Sequence, residues 1–154
     1  MHRMKWALLG LMSLAVPTPL ARYRSWHELT KVPRLVPYVA STACMAPSTP
    51  ITNPHEDRWI RVYANQVALE AMQTHSDFPP GSVVAKEKLL RADGEPEGLA
   101  FMIKHGKGSF IKSGGWEFRF YPSDGAPLAD ERCGACHRAG GGRDYVFAKL
   151  ETEH

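Results

Sequence analysis

The chain is poor in several features that mark common protein classes. It has three cysteines in 154 residues, two of which are three positions apart. No second pair of cysteines or histidines has the spacing of a zinc finger, which argues against a structural zinc site. Its longest apolar run, from Trp6 to Val16, has eleven residues, whereas a membrane-spanning helix needs roughly 20. Internal repeats and low-complexity tracts are also absent, so one compact domain is expected.

Positive charge is sparse once the N-terminal segment is set aside. Residues 1–21 indicate a signal peptide for export, because a basic start precedes the apolar run and Pro17 then interrupts it. Removing them takes away two positive charges and no negative ones, so the net charge falls from +3 to +1. No basic cluster remains for nucleic acid or a membrane surface. We expect a periplasmic protein cleaved after Ala21, with cleavage after Ala15 or an uncleaved anchor as alternatives.

Residues 22–57 form a proline-rich N-terminal arm. Five prolines make long regular structure unfavourable there, and one short helical turn is expected near Val36 to Ala43. Cys44 lies in this arm without the leucine at minus three that a lipoprotein signal requires. We therefore interpret Cys44 as a buried small residue or as a thiol that pairs between chains.

The remaining segment, residues 58–154, shows the pattern of a folded domain. Residues 59–63 indicate a strand and residues 65–72 a helix with one apolar face. Further strands are predicted at 82–90, 99–104 and 116–121, with turns at 78–81 and 93–98 and a glycine-rich loop at 105–115. Short connections favour antiparallel pairing. The fold class is therefore α+β, a mainly antiparallel sheet with a few short helices, and not a four-helix bundle.

The most informative motif is Cys133-Gly134-Ala135-Cys136-His137, close to the C-terminus. Two cysteines three positions apart can add to the two vinyl groups of a haem, and the following histidine can then bind the iron, which is the c-type haem attachment pattern. A redox dithiol is the main alternative, but it is typical of a βαβ context that this region lacks. The sequence thus predicts haem c, held by Cys133 and Cys136, with His137 as axial iron ligand.

The position of the motif bears on the other side of the iron. The residues after His137 contain no methionine, and their only histidine is the terminal His154. A sixth ligand from the protein would have to come from upstream: Met45, Met72, Met102, His55, His75 or His105. Met72 and Met102 lie on apolar faces and are expected in the core, while His75 and His105 lie in turns. We therefore expect a five-coordinate iron with an open distal site.

Several sequence blocks occur in the same order as in a known family. Together they resemble the cytochrome P-460 family and its relative cytochrome c′-beta, over roughly Arg58 to Leu150. The blocks are residues 78–87 (FPPGSVVAKE), 115–118 (GWEF), 133–137 (CGACH) and 144–147 (DYVF). The resemblance implies a single haem c with a proximal histidine on a mainly antiparallel domain that is commonly dimeric.

The resemblance also suggests what surrounds the haem. In the P-460 enzymes, which oxidise hydroxylamine, a lysine is bonded to the haem ring, and Lys86 matches it; the residues alone favour an exposed lysine on an edge strand. Those enzymes carry a distal glutamate where this chain has Ala100 and an arginine where it has Ile60, or Arg61 if the register slips. An apolar distal face would favour neutral diatomic ligands, as in the c′-beta branch. Glu97 or Glu117 could substitute as a base.

The sequence leaves four hypotheses open. The first is an exported mono-haem cytochrome with an open site that oxidises hydroxylamine, and the second is the same protein binding nitric oxide. The third is a six-coordinate electron carrier with Met72 or Met102 as ligand. The fourth is a protein without haem in which Cys133 and Cys136 form a disulfide. The first two imply a small-molecule ligand or substrate, an external redox partner protein and a homodimer.

Overall fold

The computed structural model describes residues 18–36, 58–123, 128–129, 132–139, 143–148 and 150. Residues 1–17, Cys44 and nearly all of the helical turn expected near Val36 to Ala43 therefore lie outside the described residues. The described elements are α1 (Thr18–Ala21), a 3-10 turn (Tyr23–Ser25), β1 (His27–Glu28), β2 (Arg34–Val36), β3 (Arg58–Ala64), α2 (Gln66–Gln73), β4 (Val83–Leu89), β5 (Pro96–Lys104), a second 3-10 turn (Ile111–Ser113), β6 (Trp116–Pro122), β7 (Leu128–Ala129) and α3 (Arg132–Ala139).

One antiparallel sheet organises the described part of the chain. Its strand order is β1, β3, β4, β5, β6 and β7, and β2 also pairs with β3. Strands β3 to β7 follow one another in sequence, and each pairs with the next. The connection from β3 to β4 contains α2. The expected α+β class with a mainly antiparallel sheet is confirmed.

The sheet has two apolar faces. Ala64, Val84, Met102 and Phe118 are register partners across β3 to β6 and belong to one buried cluster, which also contains Cys133. We call this side the front face. Their chain neighbours point the other way, to the back face, where Tyr63, Ala85, Phe101 and Tyr121 form a second buried cluster. Alternation along the strands thus gives two cores from one sheet.

The back face is covered by the beginning of the described chain. Leu20 and Tyr23 are each 6% exposed and belong to the back-face cluster. The Tyr23 hydroxyl donates to the buried Glu87 carboxylate at 2.7 Å, and Arg24 Nε donates to it at 2.8 Å. Burial, and then the hydrogen bond to Glu87, raises the pKa of Tyr23 well above its ordinary value. The segment before β1 is therefore bound to the sheet by packing and by charge.

Helix α2 packs on the front face and confirms the helix expected at 65–72. Asn65 caps its N-terminus, because the Asn65 side chain accepts from the backbone N–H of Ala68 at 3.0 Å. Ala68, Leu69, Ala71 and Met72 are its buried residues. Within the part of the chain that the structure describes, no helix is long and apolar enough to cross a membrane.

Candidate functional site

Helix α3 carries the haem-attachment motif and presents it to the front face. Cys133 and His137 are four residues apart, so they lie one above the other on the same side of the helix. Cys133 is 7% exposed within the front-face cluster, and His137 is half-buried. The side chain of Cys136 is outside what the structure describes.

Gly134 lets α3 approach the sheet closely. A Cβ at this position would lie 2.6 Å from the Ser113 Cβ and 3.5 Å from the Phe118 ring. Ser113 is itself fixed, because its hydroxyl donates to the Trp116 carbonyl at 2.5 Å. The glycine between the two motif cysteines thus has a packing reason in this chain, beyond the spacing of the motif.

The ring of His137 is oriented by contacts on three sides. Its Nδ1 lies 2.7 Å from the Tyr145 carbonyl oxygen, and since a carbonyl can only accept, Nδ1 carries the hydrogen. Nε2 then carries the lone pair of the ring, which is the form of nitrogen that ligates a metal. The rings of Phe118 and Phe147 each lie 4.9 Å from the imidazole ring, between centroids. This is the tautomer that an axial iron ligand requires.

Lys86 lies on the front face of an interior strand. Strand β4 is paired on one side with β3 and on the other with β5, so the expectation of an exposed lysine on an edge strand is wrong. Lys86 is half-buried, and its register partners are Val62 and Ala100. It lies one pleat along from Val84, a residue of the cluster that contains Cys133, a distance of about 7 Å along the strand. Lys86 and Cys133 therefore lie on the same side of the sheet.

The contacts of Ile60 and Arg61 show which of the two side chains lies on the same face as Lys86. Ile60 packs against the front-face cluster, and Ala100 is directly opposite Lys86. Arg61 points away: its guanidinium donates to the Glu87 carboxylate at 3.4 Å and to the Ala92 carbonyl at 2.7 Å. The structure therefore favours Ile60, not Arg61, as the residue on the front face.

A second lysine lies one pleat further along the front face, in the row of Ile60 and Gly98. Lys88 is 1% exposed, and its Nζ lies 5.6 Å from the centre of the Phe120 ring, within range of a cation–π contact. Phe120 is the register partner of Ala100. Across β3 to β6, these two rows of the front face are thus apolar apart from the two lysines.

The two glutamates considered as substitute bases are engaged elsewhere. Glu97 is paired with Arg58. Glu117 is 8% exposed, is the register partner of Ile103 on the back face, and binds His105 Nε2 at 2.7 Å and also Arg119. Burial raises the pKa of Glu117, but its hydrogen bonds to Arg119 and His105 together outweigh this and hold the pKa below its ordinary value. Glu117 is thus an ionised carboxylate on the side of the sheet away from the motif.

The alternative iron ligands have structural roles where the structure describes them. Met72 and Met102 are 7% and 9% exposed in the front-face cluster, which confirms the expectation that they belong to the core. His75 is exposed, and its Nδ1 lies 3.1 Å from the Arg143 guanidinium. His105 is engaged with Glu117. Met45, His55 and His154 lie outside the described residues.

Two interactions outside the motif were missed by the sequence interpretation. Asp144, in the turn at 143–146 that contains Tyr145, forms an ion pair with Lys104 at 2.8 Å, although 40 residues separate them. Glu87 anchors the N-terminal segment on the back face. The FPPGSVVAKE and DYVF blocks contain Glu87 and Asp144, but a single sequence gave no signal for their partners. Among the described residues, no group of three or more His, Cys, Asp or Glu side chains is placed to hold a metal ion.

Comparison with known proteins adds one positive finding. The sequence model of a family described as cytochrome P-460 matches residues 39–148, more than two thirds of the chain. The match begins upstream of Arg58 and includes α3, Lys86 and the turn that contains Tyr145. No curated protein matches the chain.

Proposed function

The chain belongs to the cytochrome P-460 family, and from this premise we propose that it is an exported mono-haem cytochrome whose distal side binds small neutral nitrogen species such as nitric oxide. Members of the family carry haem c and are typically exported. In this proposal the protein is a periplasmic homodimer that exchanges electrons with an external redox protein.

The residues of α3 fit a covalently attached haem. Cys133 and Cys136 would provide the two thioether links, and His137 Nε2 would bind the iron, because Nδ1 is committed to the Tyr145 carbonyl. The bound group would supply an iron centre that takes up small ligands. The apolar surroundings of Cys133 would exclude water from the ring, and Phe118 and Phe147 would limit rotation of the imidazole.

The observation that carries the proposal is the residue opposite Lys86. Ala100 and Ile60 line the front face where a hydroxylamine-oxidising relative would carry acid–base and charged groups. Oxidation of hydroxylamine needs proton removal, which a positioned carboxylate normally provides. Of the carboxylates considered, Glu117 and Glu87 are on the back face and Glu97 is paired with Arg58. Binding of an uncharged diatomic ligand requires no such base.

The hydroxylamine-oxidising alternative depends on Lys86. Lys86 is the position at which P-460 enzymes bond a lysine to the haem ring, and its place on the front face supports that assignment. A strongly red-shifted Soret band in the reduced protein would show the bond, and Lys86→Ala should then abolish the shift. An ordinary ferrous high-spin band, unchanged in Lys86→Ala, would leave Lys86 as a lining residue of a binding site.

The test of the proposal is the optical spectrum of the reduced, exported protein with and without carbon monoxide and nitric oxide. We expect a five-coordinate high-spin ferrous spectrum that changes on addition of either gas, and no hydroxylamine-dependent reduction of an artificial electron acceptor. A low-spin spectrum that carbon monoxide leaves unchanged would instead support the electron carrier with Met72 or Met102 as sixth ligand. A colourless protein without covalent haem mass would contradict both.

A further inference from the structure

We propose that the part-buried Lys104–Asp144 ion pair positions the proximal ligand, by holding the turn at 143–146 so that the Tyr145 carbonyl accepts the Nδ1 hydrogen of His137. The inference rests on the proposed function for the identity of the group bound at Nε2. It concerns residues outside the attachment motif, which would influence the iron without contacting it.

The turn has a backbone conformation that Tyr145 does not favour. Asp144 and Tyr145 both have positive φ, 45° and 71°, and the Val146 N–H donates to the Arg143 carbonyl at 2.9 Å, closing the turn. Two consecutive central residues with positive φ are typical of a type I′ turn, usually built from glycine, asparagine or aspartate. Left-handed backbone is unfavourable for a tyrosine, so contacts from elsewhere must hold Tyr145 in it.

Those contacts converge on Asp144. Its carboxylate accepts from Lys104 Nζ at 2.8 Å through both oxygens and from the Phe78 backbone N–H at 3.1 Å. Its backbone carbonyl accepts from Trp116 Nε1 at 2.7 Å. The side chains of Lys104 and Asp144 are only 13% and 12% exposed, and Trp116 is fully buried. Asp144 is therefore fixed from both strand β5 and strand β6.

The same lysine also fixes the neighbour of the Tyr145 ring. Lys104 Nζ donates to the Gly114 carbonyl at 2.8 Å and lies 5.1 Å from the centre of the Trp116 ring. A Cβ on Gly114 would lie 2.5 Å from Tyr145 Cε2, so the tyrosine ring packs directly against this glycine. The Lys104 ammonium group thus binds both Asp144 of the turn and Gly114, against which the Tyr145 ring packs.

The consequence for the ligand follows from the chemistry of imidazole. A hydrogen bond from Nδ1 to a carbonyl fixes the ring orientation and makes Nε2 a stronger donor to the metal. Stronger donation stabilises the ferric state and strengthens the bond from iron to histidine. If the turn relaxes, the Tyr145 carbonyl moves away from Nδ1, and both effects diminish.

The experiment compares the wild-type protein with Asp144→Asn, a change that keeps the size of the side chain and removes its charge. In the carbon monoxide complex of the reduced protein, labelled with ¹⁵N-histidine, we expect the Nδ1 hydrogen of His137 to exchange with solvent about fivefold to tenfold faster in the variant, the factor that one lost hydrogen bond supplies. We also expect a lower iron–histidine stretching frequency by resonance Raman and a higher reduction potential. Lys104→Gln should shift all three in the same direction.

Two control variants separate positioning from general loss of stability. Asp93→Asn makes the same substitution in an exposed ion pair with Arg91 and should leave all three readouts unchanged. Glu87→Gln weakens the hydrogen bonds that the buried Glu87 side chain accepts from Tyr23 and Arg24 on the back face. It should therefore lower the free energy of unfolding without changing the exchange of the His137 Nδ1 hydrogen. If Asp144→Asn does not fold, the same three readouts in Lys104→Gln test the inference.

The outcomes distinguish this inference from the proposed function. The ring signal of His137 can be read in the carbon monoxide complex, in a low-spin ferrous protein or in a chain without haem, because all three are diamagnetic. A low-spin or haem-free protein whose Nδ1 exchange still depends on Asp144 would contradict the proposed function alone. Wild-type exchange in folded Asp144→Asn and Lys104→Gln would overturn the inference, whatever the iron binds.

Discussion

At Ala100 a single methyl group lies opposite Lys86 in the middle of the front face. A carboxylate introduced there would stand on the same face of the sheet as the motif cysteine Cys133, in the row of Val62 and Phe120. In the proposed function, the front face lacks a positioned base that removes a proton from hydroxylamine, so the side chain at position 100 is expected to decide between binding and oxidation.

We therefore predict that Ala100→Glu gains hydroxylamine-dependent reduction of an artificial acceptor. A positioned base typically contributes about 10²–10⁴-fold, so a gain of at least tenfold over wild type should be measurable. Ala100→Gln is the matched control, since glutamine has nearly the same size and no proton affinity in this range. Equal rates in the two variants would show that the distal base is not what limits the reaction.

Glu117 provides a second prediction at the residue scale, on stability. Its pKa is lowered in the folded protein, so the stabilisation is present above the unfolded pKa, near 4.5, and is lost as pH falls through the lower folded pKa. Glu117→Gln should cost about 1–3 kcal/mol of unfolding free energy at pH 7, as expected for hydrogen bonds to a charged group. Urea unfolding should show the difference between variant and wild type shrinking below pH 4.5; a difference independent of pH would contradict the assignment.

At the scale of the element, α3 depends on a glycine in its interior. Alanine is favoured over glycine in a helix by about 1 kcal/mol, so Gly134→Ala would stabilise α3 if the site were open. The 2.6 Å approach to the Ser113 Cβ requires the helix or the 3-10 turn Ile111–Ser113 to move instead. We predict a net loss of stability and fewer haems per chain, measured by thermal unfolding and by the pyridine haemochrome assay.

The adjacent residue supplies the control for this prediction. Ala135 is exposed on the same helix, so Ala135→Gly should lose only the helix propensity, about 1 kcal/mol, with full haem content. A Gly134→Ala protein more stable than wild type would mean that α3 does not approach Ser113 as closely as the structure indicates.

The same scale shows what the sequence could and could not predict. Strands β3 to β6 and helix α2 follow from local alternation and from an apolar face, and these predictions are confirmed because each pattern is contained within one element. The pairing of β1 and β2 with β3 has no such pattern, since strands of two and three residues are defined only by their partner. The Lys104–Asp144 pair was missed for the same reason: a contact between distant residues leaves no periodicity in either segment.

At the scale of the whole molecule, the packing of Leu20 bears on where the folded protein begins. The sequence favours cleavage after Ala21, with Ala15 as the alternative, but Leu20 is 6% exposed in the back-face cluster. Burying a leucine contributes about 1.5–3 kcal/mol. A chain that begins at Arg22 would lose that contribution and expose part of the surface formed by Tyr63, Phe101 and Tyr121.

We therefore predict that the exported protein retains Leu20, which N-terminal sequencing or intact mass would show directly. Chains beginning at Val16 and at Arg22, exported behind the same foreign signal, form a matched pair that differs only in residues 16–21. The free energy of unfolding of the shorter chain should be lower by about 1.5–3 kcal/mol, which lowers Tm by several degrees for a domain of this size. Equal Tm values would mean that α1 contributes nothing to the fold, and a mature terminus at Arg22 would then be fully compatible with it.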